Sequence, residues 1–156
     1  MKTVLTHGRL IDVRAGAALS DATIVIERDR IAEIRRGADG PAPADGRVID
    51  LAGRSVLPGL IDLHLHLTWY YHRPDVTAGG KPTYNDPRIA FVGAWNMGQL
   101  LDAGITTVRD LGSCGHLVFD LKWALGEGLI RGPRILAAGR LIVPTGGHCT
   151  THPGMT

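Results

Sequence analysis

Three side chains that could bind a metal ion stand at alternate positions in an otherwise aliphatic segment, residues 57–67 of the 156-residue chain. On a β-strand, alternate side chains share a face, so Asp62, His64 and His66 should lie together. The other face, which we expect to pack, carries Ile61, Leu63, Leu65 and Leu67. Two strand residues span roughly 6.5 Å, so two imidazoles can converge on one ion. The alternative is a strand whose two histidines have purely structural hydrogen bonds.

The composition is typical of a soluble globular domain, with 44% hydrophobic and 21% charged residues. The formal charge of +2 favours neither nucleic acid nor an anionic membrane as a partner. The N-terminus lacks the apolar core of a secretory signal, so we expect a cytoplasmic protein. Cys114 and Cys149 indicate neither a disulfide framework nor a cysteine-built zinc site.

The first 54 residues read as short strands, with a hairpin turn at Arg28–Arg30, and predict a small antiparallel sheet. We assign residues 1–54 to a small β-sandwich part. A segment of this size buries little apolar surface, so it should need further strands or a neighbouring domain.

From residue 55 onward the pattern alternates between strands and helices. A long loop over residues 68–86 precedes a helix that begins near Pro87 and ends at Gly104. The next strand is Ile105–Asp110, and after a second helix the third is Pro133–Ala138. Such alternation predicts parallel strands with right-handed crossovers. We therefore assign residues 55–156 to three β/α units.

Two motifs in this order resemble those of the amidohydrolase superfamily of metal-dependent hydrolases. The first is Val56–His66 and the second is Asp102–Asp110. Two later segments, Gly132–Gly139 and Thr145–His148, resemble the branch with imidazolonepropionase-like proteins and Xaa-Pro dipeptidases. The resemblance implies the N-terminal part of a (β/α)8 TIM-like barrel preceded by a small β-sandwich module, and the barrel is incomplete in this chain.

The resemblance also implies a site. His64 and His66 would hold one or two divalent ions, with zinc expected first, and His148 would bind substrate unless it is simply an exposed loop histidine. The family's remaining ligands and its aspartate acid/base have no matching positions before Thr156. We therefore expect the rest of the barrel to come from another chain or a cleaved C-terminal part, and the completed enzyme to be a homo-oligomer.

The implied activity is hydrolysis of a C–N bond in a peptide, cyclic amide or related small molecule. A deaminase on the same scaffold is an alternative, as is a non-catalytic subunit that serves assembly with a second polypeptide. Two aspartates keep open roles. Asp62 could orient the metal site or make a structural bond, and Asp110 could touch substrate or fix Arg109 or a loop.

Overall fold

A computed structural model of the chain describes residues 2–38, 45–69 and 87–147. The chain divides into two compact units, Met1–Pro58 and Gly59–Thr156. The sequence-based boundary at 54/55 falls just before this division. No helix among the described residues is long and apolar enough to span a lipid bilayer. Most of the loop predicted over residues 68–86 lies outside the described residues.

The first unit is a five-stranded sheet. Its strands are β1 (Lys2–Asp12), β2 (Ala17–Glu27), β3 (Arg30–Arg36), β4 (Gly46–Asp50) and β5 (Ser55–Val56). The order is β3-β2-β1-β4, with β5 also paired to β1. The β2–β3 hairpin turns at the predicted place, but the purely antiparallel prediction was wrong because β4 and β5 run parallel to β1. Their partner is distant in sequence, so no local pattern reports the direction.

Strand β1 is continuous, although the sequence around Gly8 predicts two short strands, residues 4–6 and 9–13. Its pairing with β2 shifts between Leu5 and Gly8, and His7 adopts a left-handed φ of 52°. A Cβ on Gly8 would lie 2.7 Å from Leu51 Cδ1. The shift in pairing is therefore an irregularity within one strand, at a point where the Leu51 side chain packs closely on Gly8.

The second unit contains a three-stranded parallel sheet with two helices. Its elements are β6 (Leu60–Leu65), α1 (Arg88–Asp102), β7 (Ile105–Asp110), α2 (Leu117–Gly126) and β8 (Arg134–Ala137). The sheet order is β6-β7-β8, and both pairings are parallel. The predicted alternation of strands and helices is therefore confirmed. Gly104, at φ 86°, follows α1 as the sequence predicts.

One hydrophobic cluster joins the strands and helices of the second unit. Its buried members are Leu67, Met97, Val108, Val118, Leu121 and Ile135. In α1, Met97 is buried in this cluster, Ala94 packs partly against it, and Ala90 is half-buried. Gly93 faces α2, where a Cβ would lie 2.5 Å from Leu121 Cδ1. The two helices therefore pack closely at this glycine.

Gly59, directly before β6, leads to a test of the strand pairing. A Cβ there would lie 2.0 Å from Thr106 Oγ1 and 2.7 Å from Thr106 Cβ. Rotating the threonine cannot move its Cβ, so Gly59→Ala must displace main chain. We expect a loss of roughly 1–3 kcal/mol in the free energy of unfolding, measured by urea denaturation.

Two further variants make this test specific. Adding Thr106→Gly to Gly59→Ala should recover part of the loss, because the contact is then removed. Gly98→Ala is the control, since no described atom beyond its chain neighbours and its own helix backbone lies within 4 Å of a Cβ there. Equal stability of the Gly59→Ala and Gly98→Ala proteins would contradict the packing of Gly59 on Thr106.

Candidate metal centre

An irregularity in β6 shapes the segment that carries the histidines. Asp62 pairs with Val108 and Leu65 with Asp110, so β6 has one residue more than β7 between these pairs. Arg109 lies opposite the extra residue, and its Nε donates a hydrogen bond of 2.6 Å to the carbonyl of Leu63. Bulges of this kind re-aim side chains and are frequent beside active sites.

The bulge in β6 and the open edge of the sheet change which of the alternating aliphatic side chains in residues 61–67 are buried. Leu67 is buried and Leu65 packs partly against the core, as expected. Ile61 and Leu63 are 62% and 58% exposed, so the prediction that they pack was wrong for the described chain. Strand β6 is an edge of its sheet, and no further described element of its unit covers these two side chains.

His66 follows β6 and has a fixed ring. Its Nδ1 lies 2.8 Å from the carbonyl oxygen of Gly112. A carbonyl oxygen can only accept, so Nδ1 carries the proton and Nε2 of the neutral ring keeps a lone pair. Histidines that bind a metal through one ring nitrogen usually donate the N–H of the other ring nitrogen to a carbonyl, a carboxylate or water. The ring of His66 has this arrangement.

His64 lies next to His66, with the ring planes at 78° and the ring centroids 5.5 Å apart. Two imidazoles on one tetrahedral zinc, with Zn–N distances near 2.0 Å, have ring centres about 5 Å apart. The spacing therefore suits a shared ion. Asp62 Oδ1 accepts the main-chain N–H of His64 at 2.9 Å, so this carboxyl group fixes the backbone of His64.

Two further side chains hold the segment after His66, and sequence reasoning missed both contacts. The ring of Trp69 stacks on His66 with centroids 4.3 Å apart. Asn96 Nδ2 donates to the carbonyls of Leu67 (2.7 Å) and Trp69 (3.1 Å). The available signal was Asn96 itself, an amide between Trp95 and Met97 in the middle of a predicted helix.

A cleft of about 740 Å³ opens beside the histidines, within the size range of small-molecule sites. Its walls include Asp62, His64, His66, Trp69, Trp95 and Gln99. The imidazoles therefore face space that a small ligand could enter, with indole rings beside them.

Asp110 is buried at the end of β7 and does not line this cleft. Its carboxyl oxygens accept hydrogen bonds from Leu67 N, Gly112 N and Ser113 Oγ. Of the roles left open by the sequence, the structure supports fixing a loop. Arg109 is held elsewhere, on the Leu63 carbonyl.

Cys114 is half-buried. Burial raises the pKa of its thiol; a hydrogen bond with Thr68 acts in the opposite direction, and the negative charge of Asp110 adds to the rise. The thiolate is the reactive form of cysteine, so a raised pKa disfavours a nucleophilic role for Cys114. Cys149 and His148 lie outside the described residues, and substrate binding by His148 therefore stays a prediction.

The described residues contain no group of three or more His, Cys, Asp or Glu side chains placed to bind one ion. A catalytic zinc takes about three protein ligands and an open position. His64 and His66 fit such an ion by donor type and ring spacing, and they would supply part of its ligand set.

The sequence profile of the Amidohydrolase family matches residues 55–147, which include both histidines and all of the second unit's strands and helices. This chain belongs to the amidohydrolase family. The recognition of that family from the two motifs is confirmed. The amidohydrolase match covers more than half of the chain.

Among curated proteins, the chain is 30% identical over 162 residues to a dihydroorotase from Syntrophotalea carbinolica. This alignment covers 97% of the chain and 37% of the dihydroorotase. An imidazolonepropionase from Hyphomonas neptunium is 37% identical over 83 residues, covering 47% of the chain and 20% of that protein. The chain thus spans well under half the length of the curated relatives it matches.

Solved structures give the same result for the fold. A Xaa-Pro dipeptidase with bound methionine in the active site has a TM-score of 0.84 and 32% identity, covering 100% of this chain and 37% of the dipeptidase. A prolidase complexed with N-methylphosphonate-L-proline has a TM-score of 0.77 and 31% identity, covering 98% of this chain and 35% of the prolidase. The amidohydrolase chain is therefore an incomplete TIM-like barrel preceded by a strand-rich module.

Proposed function

We propose that this chain is part of a metal-dependent hydrolase that cleaves a C–N bond, with His64 and His66 as ligands of a divalent ion. Zinc is the metal proposed first, because imidazole nitrogens are common zinc ligands. The complete protein, meaning this chain with any polypeptide that accompanies it, would supply the remaining ligands and the acid/base.

The observation that carries the proposal is the His64–His66 pair with its fixed ring nitrogen. The Nδ1 proton of His66 is committed to the Gly112 carbonyl, so Nε2 is left as the donor atom toward an ion. A histidine with a purely structural role needs no second imidazole at 5.5 Å on the border of a cleft. The position, at the carboxyl end of a barrel strand, is where barrel enzymes place their active sites.

A bound divalent ion would lower the pKa of a water molecule toward about 7 and polarise the scissile carbonyl. The residues of this chain would prepare that chemistry. Trp69 covers one face of the His66 ring, and Asp62 holds the main chain of His64. Trp95 and Gln99 would border the bound substrate as walls of the cleft.

We propose that the substrate is a dipeptide, or a related small amide, whose C–N bond is cleaved. Support comes from the Xaa-Pro dipeptidase and prolidase likenesses, which extend over essentially the whole chain. The curated relatives named dihydroorotase and imidazolonepropionase support cyclic amides as the second class to test. His148 remains the residue proposed to contact substrate.

We expect the complete protein, loaded with zinc, to hydrolyse at least one Xaa-Pro dipeptide, with the rate lost on chelation and restored by added zinc. Released proline and released ammonia should be measured in parallel. Proline without ammonia supports the hydrolase, and ammonia from amino-substituted heterocycles would identify a deaminase instead. If the protein hydrolyses only dihydroorotate or imidazolonepropionate, the proposed hydrolase activity stands and the proposed dipeptide substrate is wrong.

Intact mass spectrometry of the purified assembly tests the completion of the barrel. We expect a second polypeptide, or a longer chain, that brings further metal ligands and an aspartate. An active, zinc-loaded monomer of 156 residues would contradict this part of the proposal.

A further inference from the structure

Asp110 is fully buried at the end of β7, and the ligand role of the histidines does not by itself require it. Its Oδ2 accepts Leu67 N–H at 2.8 Å and Ser113 Oγ–H at 2.7 Å, and its Oδ1 accepts Gly112 N–H at 3.1 Å. Burying a carboxyl group is costly unless its oxygens are hydrogen-bonded, and three donors meet that need. The group therefore joins the segment after β6 to the segment after β7.

Two of these bonds reach His66 from different sides. Leu67 N–H belongs to the peptide that directly follows His66, so Asp110 holds the main chain that carries the ring. Gly112 gives its N–H to Asp110 and accepts His66 Nδ1–H at its carbonyl, 2.8 Å away. The carboxyl group of Asp110 thus holds both the main chain next to His66 and Gly112, the residue whose carbonyl accepts the Nδ1–H of His66.

The segment that presents the Gly112 carbonyl has little freedom. Ser113 N–H donates to the carbonyl of Gly139 at 3.1 Å, which fixes the far side of the same peptide unit. A Cβ at Gly112 would lie 2.6 Å from Leu141 Cδ2, so the segment also packs closely. The direction of the carbonyl is therefore set by Asp110 on one side and Gly139 on the other.

We propose that Asp110 is a positioning residue that sets the orientation and tautomer of His66, with the proton on Nδ1 and the lone pair on Nε2. It acts through Leu67 and Gly112 and touches no substrate. The consequence for metal binding rests on the proposed function, whereas the tautomer does not.

The test compares Asp110→Asn with Ser113→Ala in the complete protein. Asparagine keeps one acceptor oxygen, so at least one of the two main-chain N–H groups loses its partner. Ser113→Ala removes only the hydroxyl donor and leaves both main-chain bonds, which makes it the control for a general loss of stability.

The first readout is ¹⁵N NMR of ring-labelled histidine in metal-free protein, with the His66 signal assigned from the His66→Gln variant. We expect one Nδ1–H tautomer in the wild-type and Ser113→Ala proteins and a mixture in Asp110→Asn. The second readout is Zn²⁺ affinity by chelator competition. It should fall about 10–100-fold in Asp110→Asn, the usual effect of losing a ligand's supporting partner, and stay at the wild-type value in Ser113→Ala.

An unchanged tautomer and unchanged zinc affinity in Asp110→Asn would overturn the proposal, as would equal changes in both variants. If Asp110→Asn does not fold, hydrogen exchange in the wild type decides, because the His66 Nδ1–H should exchange more slowly than the ring N–H of exposed His64. Equal exchange rates would then reject the proposal. If the tautomer shifts as expected but wild-type His66 binds no zinc, the proposed metal role fails and the positioning role stands.

Discussion

Replacing both His64 and His66 by alanine is expected to remove most of the zinc and most of the hydrolytic activity from the complete protein. Each imidazole would contribute a nitrogen directly to the ion, and the remaining ligands cannot replace two of them at the same point. The loss of zinc affinity should exceed the roughly 10–100-fold that loss of a ligand's hydrogen-bond partner costs.

The single variants, and a control histidine that does not line the cleft, make this result interpretable. His64→Ala and His66→Ala should each lose affinity, and the His66 change should also lose the bond to the Gly112 carbonyl. His116→Gln, an exposed histidine before α2, should keep wild-type metal content. Metal content is measured by plasma emission spectrometry after exhaustive dialysis. Full zinc occupancy in the double variant would show that the pair is not a ligand pair.

Met97→Ala should lower the free energy of unfolding by about 2–5 kcal/mol, the range for removing a fully buried large side chain. Met97 is completely buried in the cluster that includes Leu67 and Val108. Its loss would leave a void against both the strand β7 and the segment after His66. Urea denaturation of the complete protein measures the change.

Two variants on the same helix control for this prediction. Met97→Leu nearly conserves volume and should cost less than about 1.5 kcal/mol. Gln99→Ala removes an exposed side chain two residues away and should change stability little. A loss at Met97→Ala no larger than at Gln99→Ala would mean that the cluster does not hold α1 on the sheet.

The sequence predicted the elements of the second unit well because their signals are local. Gly104 and the alternation of apolar segments mark where α1 ends and where β7 begins, and Ile105–Asp110 is a strand in the structure at the predicted bounds. The direction of β4 was not predictable, since its partner β1 is more than thirty residues away and its own pattern suits either direction.

The geometry of the candidate site was only partly predictable for the same reason. The types and spacing of His64 and His66 are visible in the sequence, whereas the bulge opposite Arg109 depends on the register between two strands. That bulge and the open edge leave Ile61 and Leu63 exposed, against the simple alternation. Local patterns report which residues could act, and contacts between segments determine how they are held.

The supporting contacts show this limit most clearly. His66 Nδ1 meets the carbonyl of Gly112, and Asn96 meets the carbonyls of Leu67 and Trp69. Every residue has a main-chain carbonyl, so the sequence does not show which of them accepts a hydrogen bond from a given side chain. In the sequence, the amide Asn96 within an apolar helix segment and Asp110 at the end of a strand were the signals that polar groups there needed partners.

The most direct test of the ligand pair is zinc-edge anomalous diffraction from crystals of the complete protein grown with Zn²⁺. An anomalous peak at about 2.0–2.1 Å from His66 Nε2, and bonded to a ring nitrogen of His64, is the predicted result. A zinc peak bound elsewhere, with both imidazoles free of metal, would contradict the assignment of His64 and His66 as ligands.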